Sequence, residues 1–330
     1  MRIFFCNTAV TVMPCTKIKT AIFIQLFLCA FHIGKAQQAV LSLGFENDIL
    51  NLSHQTDRYF TNGFNIQYYH QSFSQSFLNK ILVDGNQKNL RMTGFSAEQK
   101  IYTPKDLHTS ELQNFDRPYA STFLVSINQI SVSDVHNYRI TSSAGIGVLG
   151  TYAGGEFFQN FIHSLTVNSE NVNGWNHQIK NDLLLDYQIK FEKGLINTNF
   201  LQFNLAGKTQ LGTLQNSLSP EVFLAVGTLN DYFKNVFGRP SKRNFSVFVY
   251  ASAGTDLLLY DATLQGGVFN QQNEHIVSRS ELNRIRLNQS IGIRIDYRRI
   301  QLETGRIWQA NEFNTAENHA WGFVKMSWFF

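Results

Sequence analysis

The chain has 330 residues, with 28 lysines and arginines against 24 aspartates and glutamates and a formal net charge of +4. Residues 1–36 contribute four of the basic side chains and no acidic one, so the rest of the chain is neutral and lacks the basic field that a general nucleic-acid binder needs. All three cysteines also lie in residues 1–36, which excludes disulfides, thiolate nucleophiles and cysteine metal sites from the remainder.

The first 36 residues predict a secretory signal peptide. Two lysines precede an apolar run over residues 21–31, and small residues, Gly34 and Ala36, follow it. The apolar run is too short to span a bilayer as a helix. We therefore expect cleavage after Ala36 and a mature domain over residues 37–330.

The stretch FENDILNLSHQTDRYFTNG, residues 45–63, leaves one alternating segment, crosses a polar loop and enters another. Hard oxygen atoms stand at both ends of the loop, on Glu46, Asn47 and Asp48 and on Thr61 and Asn62. Calcium collects about six to eight such oxygens, so the stretch predicts a cation site. The alternative is an ordinary hairpin loop, because Asn, Asp, Ser and Thr are common turn residues.

Segments of about ten residues in strict alternation, each followed by a turn, recur along the chain. In residues 284–298, for example, Ile285 and Leu287 fall on one face and Arg284 and Arg286 on the other. Such segments begin near residues 39, 60, 91, 118, 137, 180, 197, 219, 244, 284, 300 and 319. Twelve is an even number, as bacterial outer-membrane barrels require, and each segment is long enough to cross a bilayer. We predict an all-β fold, a twelve-stranded antiparallel transmembrane β-barrel, with a soluble β-sandwich as the alternative.

The last segment supports the same location. Its apolar face runs from Ala320 to Phe330, and a strand that ends on an aromatic residue resembles the C-terminal signature of outer-membrane barrels. We therefore expect the protein in the outer membrane of a Gram-negative bacterium. With a periplasmic N-terminus, the external loops are those near residues 46–60, 102–117, 151–179, 212–218, 258–283 and 310–318. The periplasmic turn at residues 73–90 is longer than a usual periplasmic turn.

The external loop near residues 151–179 carries a helical pattern from Glu156 to Val167. One stripe of the predicted helix is apolar, and a second stripe is polar. The apolar stripe is Phe158, Phe161, Ile162 and Leu165, and the polar one is Glu156, Gln159, Asn160 and His163. A short helix on a barrel rim indicates a functional site, with a simple plug or lid as the alternative.

Four ordered motifs resemble the outer-membrane lipid A 3′-O-deacylase family. They are FENDIL at the end of strand one, TDRYFTNG opening strand two, FDRPYA opening strand four, and GVLGTYAGGEFFQNFIH followed by GWNHQ. The resemblance covers the whole mature chain. It implies a calcium-dependent carboxylic ester hydrolase that removes a 3′-O-linked acyloxyacyl group from lipid A at the outer leaflet. The implied partners are therefore lipopolysaccharide and outer-membrane lipids, and we expect a monomer.

The resemblance also implies the site residues. Asn47, Asp48, Thr61 and His163 match the Asn-Asp pair, the Thr or Ser and the His of the family. Glu170 is the natural match for its Glu, and Ser169 occupies the ungapped position.

The chemistry of these side chains suits ester hydrolysis. The ordinary pKa of histidine suits His163 as the general base that takes a proton from water, and the Asn47 amide is suited to stabilise the oxyanion. Asp48 and Thr61 are the predicted calcium ligands, together with main-chain carbonyls of residues 56–60. The sequence contains no GxSxG nucleophile motif.

Substrate contacts and rival functions follow from the predicted location. Four cations near the rim are candidates for contact with lipid phosphates, or simply bridge lipopolysaccharide without a role in catalysis: Arg58, Lys100, Lys105 and Arg117. The rival functions are a passive porin or structural barrel and an outer-membrane phospholipase. A phospholipase of that type is expected to have a serine nucleophile beside a strand-borne histidine, and the sequence does not display that arrangement.

Overall fold

The computed structural model describes residues 39–50, 58–85, 90–107, 111, 116–165, 172, 174–229, 232–233 and 244–330, without the side chains of residues 77, 78, 163 and 165. The predicted signal peptide, residues 1–36, lies outside the described residues, as do Ser169 and Glu170.

Within the described residues, twelve antiparallel strands close into a barrel in which each strand pairs with its sequence neighbours and β1 pairs with β12. The strands are β1 (Ala39–Asn47), β2 (Tyr59–His70), β3 (Leu90–Thr103), β4 (Ala120–Ser133), β5 (Tyr138–Leu149), β6 (Asp182–Asn197), β7 (Leu201–Gly212), β8 (Gln215–Thr228), β9 (Phe245–Asp261), β10 (Ile285–Tyr297), β11 (Ile300–Gln309) and β12 (His319–Phe329). The predicted barrel is confirmed.

The predicted strand starts differ from the observed ones most at β7 and β8. β6 continues through a bulge between Gly194 and Ile196, which delays β7 to Leu201. β7 and β8 are joined by a tight turn at residues 213–214, so the external connection expected near residues 212–218 is present but shorter than predicted.

The strands turn their apolar side chains outward and their polar side chains inward. Arg294, Glu303 and Lys325 line a central cavity of about 360 Å³, which identifies the interior face. Alternate residues must point the other way. Ile285 is accordingly 66% exposed, while its neighbour Arg286 is 2% exposed. This is the pattern of a membrane barrel and the reverse of a soluble sandwich.

Both ends of the interior are filled by the chain itself. The described part of the structure has two α-helices, α1 (Gly155–Leu165) and α2 (Ala262–Gln265). Helix α2 lies in the mouth of the barrel at the end with the long loops. Ala262 of α2 packs against Ala120 and Leu124. At the end with the short turns, Phe233 packs against Met92. The described interior is therefore packed at both ends, unlike the open channel of a porin.

The long turn predicted at residues 73–90 folds back along the outer face of the barrel. We call residues 71–85 the strap. Its ordered elements are the 3₁₀ helices Gln71–Gln75 and Phe77–Ile81. Phe73 of the strap packs against Tyr68 and Phe95, with ring centroids 6.2 and 5.6 Å apart. Both partners face outward, because Tyr69 lies one position from Tyr68 and Met92 three positions from Phe95, and both line the interior cavity.

The strap covers polar side chains on a wall that is otherwise apolar. Each bond joins the strap to a different outward-facing residue of β3 to β6. The bonds are Thr93 Oγ1 to Asn79 Oδ1 (3.1 Å), the Gly85 amide to Ser131 Oγ (3.3 Å), Ser142 Oγ to the Val83 carbonyl (2.9 Å), the Tyr187 hydroxyl to the Ile81 carbonyl (2.8 Å) and the ion pair of Arg91 Nε with Asp84 Oδ2 (2.8 Å). The strap's own Ile81 and Val83 are exposed. The strap thus covers the polar side chains of this part of the wall and exposes apolar side chains of its own in their place.

Loss of one of these bonds should loosen the strap without disturbing the barrel. Tyr187→Phe keeps the ring and removes the hydroxyl that donates to Ile81. We expect a loss of about 1 kcal/mol, and hence about fivefold faster amide exchange in the strap. Hydrogen–deuterium exchange of the detergent-solubilised protein measures it. Tyr297→Phe, an exposed tyrosine at the same end of the barrel, is the control; equal exchange in both variants would contradict the role of this bond.

Candidate active site

The predicted site residues lie on the outer wall of the barrel and face away from its interior. Strand pairing places Asn47 beside Asn62, Asn62 beside Ile101, and Ile101 beside Ser121. Ser42 in β1 and Gln67 in β2 face the interior. Asn47 and Asn62 lie an odd number of positions from them along the same strands, so these two asparagines and their strand partners face outward. They therefore form one row across β1 to β4 at the end with the long loops, with Asn62 next to the predicted partner Asn47.

A β-bulge brings Thr61 into this row. The pairing of β2 with β3 shifts between Phe60 and Asn62, so Thr61 is the extra residue. Its hydroxyl lies 2.7 Å from that of Thr103, which also faces outward. Just before the bulge, Tyr59 has a φ of 61°, a left-handed conformation that is uncommon for a residue with a side chain.

Side chains from distant parts of the chain hold the bulge. The Tyr59 hydroxyl donates to Asp116 Oδ2 at 2.9 Å. His319 Nε2 donates to the Phe60 carbonyl at 3.0 Å, and the His319 ring stacks on Trp321 with centroids 5.4 Å apart. Strained backbone persists only where its surroundings fix it, and it is concentrated at functional sites.

Asn47 and Asp48 stand where β1 ends. Asn47 Oδ1 accepts a bond from the Ile49 amide at 2.7 Å, and its Nδ2 donates to Asn62 Oδ1 at 3.4 Å. The oxygen of Asn47 is thus engaged by the backbone, and its amide group points along the row. Asp48 begins the 3₁₀ turn Asp48–Leu50 and is 2% exposed.

The oxygen atoms of this corner fit a hard cation in kind. Asp48 supplies a buried carboxylate, Thr61 a hydroxyl and Asn62 an amide oxygen, the groups that calcium prefers. The described residues hold no cluster of three or more His, Cys, Asp or Glu side chains that could bind a metal. A cation here would therefore depend on hydroxyl, amide and main-chain oxygens beside the single carboxylate.

Helix α1 is confirmed, and it docks on the same outer wall. A Cβ on Gly155 would lie 2.5 Å from Ser121 Cβ and 2.7 Å from the Trp175 ring, so only glycine permits this approach. Gln99 Nε2, on the outward face of β3, donates to the Ala153 carbonyl at 2.6 Å. Among the described residues, no helix is long and apolar enough to cross a membrane.

The helix presents its polar side to the barrel. Gln159 is 1% exposed, and its Oε1 accepts a bond from Trp175 Nε1 at 2.8 Å. Phe157, Phe158 and Phe161 are exposed, so the apolar stripe predicted to pack or plug points away from the barrel instead. His163 follows Gln159 by four residues and shares its side of the helix. The side chain of His163 lies outside the described part of the structure.

The dimensions allow α1 to reach the Asn47 end of the row. Three strand spacings separate Asn47 from Ser121, about 14 Å. The rise from Gly155, which rests on Ser121, to His163 is about 12 Å. The structure thus brings Asn47, Asp48 and Thr61 together and places the helix of His163 on the same wall.

Several residues of this region had no role in the sequence-based prediction. They are Gln99, Thr103, Gln159, Trp175 and His319. Gln159 lies in the motif GVLGTYAGGEFFQNFIH and in the polar stripe of the predicted helix, and Trp175 lies in the motif GWNHQ. Thr103 and His319 carry no local signal, because they reach Thr61 and Phe60 only through strand pairing across the barrel.

The sequence matches the family model of outer membrane protein LpxR over residues 19–330. The chain belongs to the LpxR family. This is the lipid A 3′-O-deacylase family that the four motifs resemble, and it places the barrel in the outer membrane of a Gram-negative bacterium. The long-loop end is then the extracellular end, as in other outer-membrane barrels.

Solved structures show the same fold. LpxR from Salmonella typhimurium matches with a TM-score of 0.71 and 18% identity, over 88% of this chain and 100% of that chain. Two autotransporter barrels are more distant. The β domain of Bordetella BrkA has a TM-score of 0.45 and 8% identity, over 88% of this chain and 98% of that chain. The translocator domain of NalP from Neisseria meningitidis has a TM-score of 0.37 and 10% identity, over 98% of this chain and 100% of that chain. No curated protein sequence matches the chain.

All four predicted phosphate-binding cations of this LpxR-family barrel have carboxylate partners. Lys100 pairs with Glu98 on the interior face, at 2.9 Å. Arg58 and Lys105 both pair with Glu317 at the rim. Arg117 is fully buried, where it pairs with Glu312 at 2.7 Å and donates to Thr263 Oγ1 at 2.9 Å. Arg117 therefore anchors the extracellular cap and is not a lipid ligand.

The Arg117–Glu312 pair is charged despite its burial. Burial favours the neutral form of Glu312, but Arg117 and Arg286 outweigh it and hold the pKa of Glu312 below its ordinary value. Such a carboxylate stabilises the fold above its unfolded-state pKa, and this contribution is lost as the pH falls through the folded-state pKa.

Glu312→Gln tests this pair. It leaves the buried Arg117 uncompensated, so we expect a loss of about 3 kcal/mol near neutral pH. The difference from the unmodified protein should begin to shrink as the pH falls below the unfolded-state pKa of about 4.3, and it should disappear only below the lower folded-state pKa, where the carboxyl is protonated in both states. Thermal midpoints of heat-modifiable gel migration across this pH range measure it. Glu317→Gln, which breaks exposed pairs, is the control and should shift the thermal midpoint much less than Glu312→Gln does; a pH-independent difference for Glu312→Gln would contradict the assignment.

Proposed function

We propose that this LpxR-family barrel is a calcium-dependent esterase that removes the 3′-O-linked acyloxyacyl group of lipid A in the outer leaflet. Family membership supports a lipid A deacylase. One observation carries the proposal further: the polar row of Asn47, Asn62 and Ser121 faces outward, toward the side of the barrel on which lipid lies. An ester group in the membrane can reach such a row laterally.

Helix α1 supports the same substrate. Its exposed Phe157, Phe158 and Phe161 form a surface suited to acyl chains, while its Gln159 side rests on the wall. The helix thus turns polar groups toward the wall and exposes apolar rings on its other side. A polar ester attached to an apolar chain matches this division.

We assign the proton transfer to His163. A histidine with a near-neutral pKa can take a proton from water as the water attacks the ester carbonyl, and it can return the proton to the leaving hydroxyl. The Asn47 amide, whose oxygen is already engaged by Ile49, is oriented as a donor for the carbonyl oxygen as it becomes negative. Glu170 is the proposed third catalytic residue, with Ser169 as its competitor for that role.

Asp48 and Thr61 are the proposed calcium ligands. The buried carboxylate and the bulged hydroxyl stand at the two ends of one loop, and Asn62 adds a neighbouring oxygen. Calcium, when bound, would polarise the ester carbonyl as a Lewis acid. The residues that hold the bulge, Tyr59 and His319, keep Thr61 in position.

A passive pore is the weaker alternative. The described interior is packed at both ends, by α2 and by Phe233, and the conspicuous polar row lies outside the barrel. The mass spectrum of lipid A from cells with and without this protein tests the proposal directly. Loss of one acyloxyacyl unit only in cells that make the protein is expected, and identical spectra would refute the activity.

Asp48→Asn tests the metal role, because it keeps the shape of the side chain and removes the charge. We expect activity to require far more calcium or to vanish. Release of hydroxyacyl chains from lipid A, measured against free calcium set with a chelator, gives the result. Asp134→Asn, at the periplasmic β4–β5 turn, is the control. An Asp48→Asn protein as active as the unmodified protein in the presence of chelator would rule out the assignment.

His163→Ala tests the base. The barrel should fold, since α1 lies outside the strand ladder, and hydrolysis should fall by about 10²–10⁴-fold. The pH–rate profile should also lose its limb near the ordinary histidine pKa of about 6.5. His136→Ala at a periplasmic turn is the control. Loss of rate with unchanged calcium affinity supports a base, lost calcium affinity would make His163 a ligand, and an unchanged rate would refute the mechanism.

A further inference from the structure

A second cavity opens on the outer wall of the barrel beside the candidate site. It has a volume of about 570 Å³ and is lined on β10, β11, β12 and the start of β2. The described lining residues that carry polar groups or rings are Arg58, Gln289, Arg306, Trp308, Gln309, Asn318 and His319. Arg294 in β10 and Glu303 in β11 face the interior. An odd number of positions separates them from Gln289 in β10 and from Arg306 in β11, so these two side chains face outward, as does Trp308.

Arg306 is an unusual residue for this wall. It pairs with Ile291 on one side and Gly322 on the other, below the last residues of its strand. Its guanidinium lies 4.9 Å from the centre of the Trp308 ring, two residues nearer the extracellular end, so the side chain reaches up toward the lipid head groups. In the described part of the chain, no carboxylate pairs with it, and its buried Nε has no hydrogen-bond partner.

The other polar groups of the cavity are also suited to donate. The Asn318 side-chain oxygen accepts from the Asn311 amide at 3.1 Å, which leaves its amide group for a ligand. Arg58 pairs with Glu317 at 2.5 Å through one terminal nitrogen. The guanidiniums of Arg58 and Arg306, together with the side-chain amides of the lining, stand against one exposed carboxylate and make a site for an anion. Guanidinium groups recognise phosphate through paired hydrogen bonds, more strongly than neutral donors do.

The cavity adjoins the candidate active site. A Cβ on Gly322, the strand partner of Arg306, would lie 2.5 Å from Leu50 Cβ. Leu50 ends the 3₁₀ turn that begins at Asp48. An outer-leaflet lipid with its head group in the cavity would therefore lie beside Asp48, with its acyl chains along the wall formed by Leu287 and Ile291.

We propose that Arg306, with Arg58, binds a phosphate on the head group of the substrate lipid and so selects phosphorylated lipid A. This inference rests on the proposed deacylase function. The two arginines act in binding and orientation of the lipid, and they take no part in the chemical step. Loss of either one should raise KM for the phosphorylated lipid more than it lowers kcat.

Direct binding tests the proposal separately from hydrolysis. The full-length barrel in detergent is titrated with diphosphoryl lipid A and with the same lipid after enzymatic removal of both phosphates, with calcium chelated so that no turnover occurs. Arg306→Gln should weaken binding of the phosphorylated lipid by about tenfold, the worth of a charged hydrogen bond, and leave binding of the dephosphorylated lipid unchanged. Arg299→Gln, an exposed arginine at the periplasmic turn, is the matched control and should bind both lipids normally.

Each outcome decides the proposal. Equal effects of Arg306→Gln on the two lipids, or no effect on either, would overturn it even if hydrolysis is intact. A phosphate-dependent loss of binding in a barrel that releases no acyl chain would support this site and refute the deacylase instead. Competition by inorganic phosphate at concentrations near those of the lipid would indicate a free-anion site and would overturn recognition of the lipid head group.

Discussion

The register between β1 and β2 is the constraint on which the candidate site depends. Asn47 and Asn62 share the outer face only because they pair directly, and a shift of β2 by one residue would turn Asn62 toward the interior while Asn47 stayed outside. The bulge then adds Thr61 to the same face without moving Asn62. Tyr59 takes a left-handed conformation at the entry to the bulge, and Asp116 and His319 hold it from two other parts of the barrel.

Three polar patches interrupt the apolar outer wall, and the chain treats them differently. The patch of β3 to β6 at the periplasmic end lies under the strap, which satisfies its hydrogen bonds and exposes Ile81 and Val83. The patch around Gln99 and Ser121 lies under α1 and the turn before it. The patch of Gln289 and Arg306 borders an open cavity. Polar groups next to hydrocarbon are costly without partners, so a patch that the described chain leaves open is suited to a lipid head group.

The sequence carries the strand positions because a period of two is a local signal, readable wherever the alternation persists. The signal weakens at β7 and β8, where the bulge in β6 breaks the period. The sequence does not carry a local signal for the face of the wall, inner or outer, on which the site residues lie. The sequence-based interpretation placed Asn47 and Thr61 at the rim, because their parity relative to interior residues becomes known only when the register and the bulge are known. His319 and Thr103 could not be found at all, since hundreds of residues or a whole strand separate them from the atoms they hold.

The paired charges of the packed interior explain why the candidate site lies on the outer wall. Arg117, Glu312 and Arg286 are held among themselves in the extracellular mouth, and Arg139 pairs with Glu192 deeper inside. Charges that are paired in this way stabilise the barrel and are not accessible to a lipid. A lipid substrate, as we propose it, would keep its acyl chains against the outer wall and would not enter this interior. The proposed hydrolysis of such a lipid would therefore require polar groups on the wall itself, where α1 covers part of the polar row and leaves Phe157, Phe158 and Phe161 exposed.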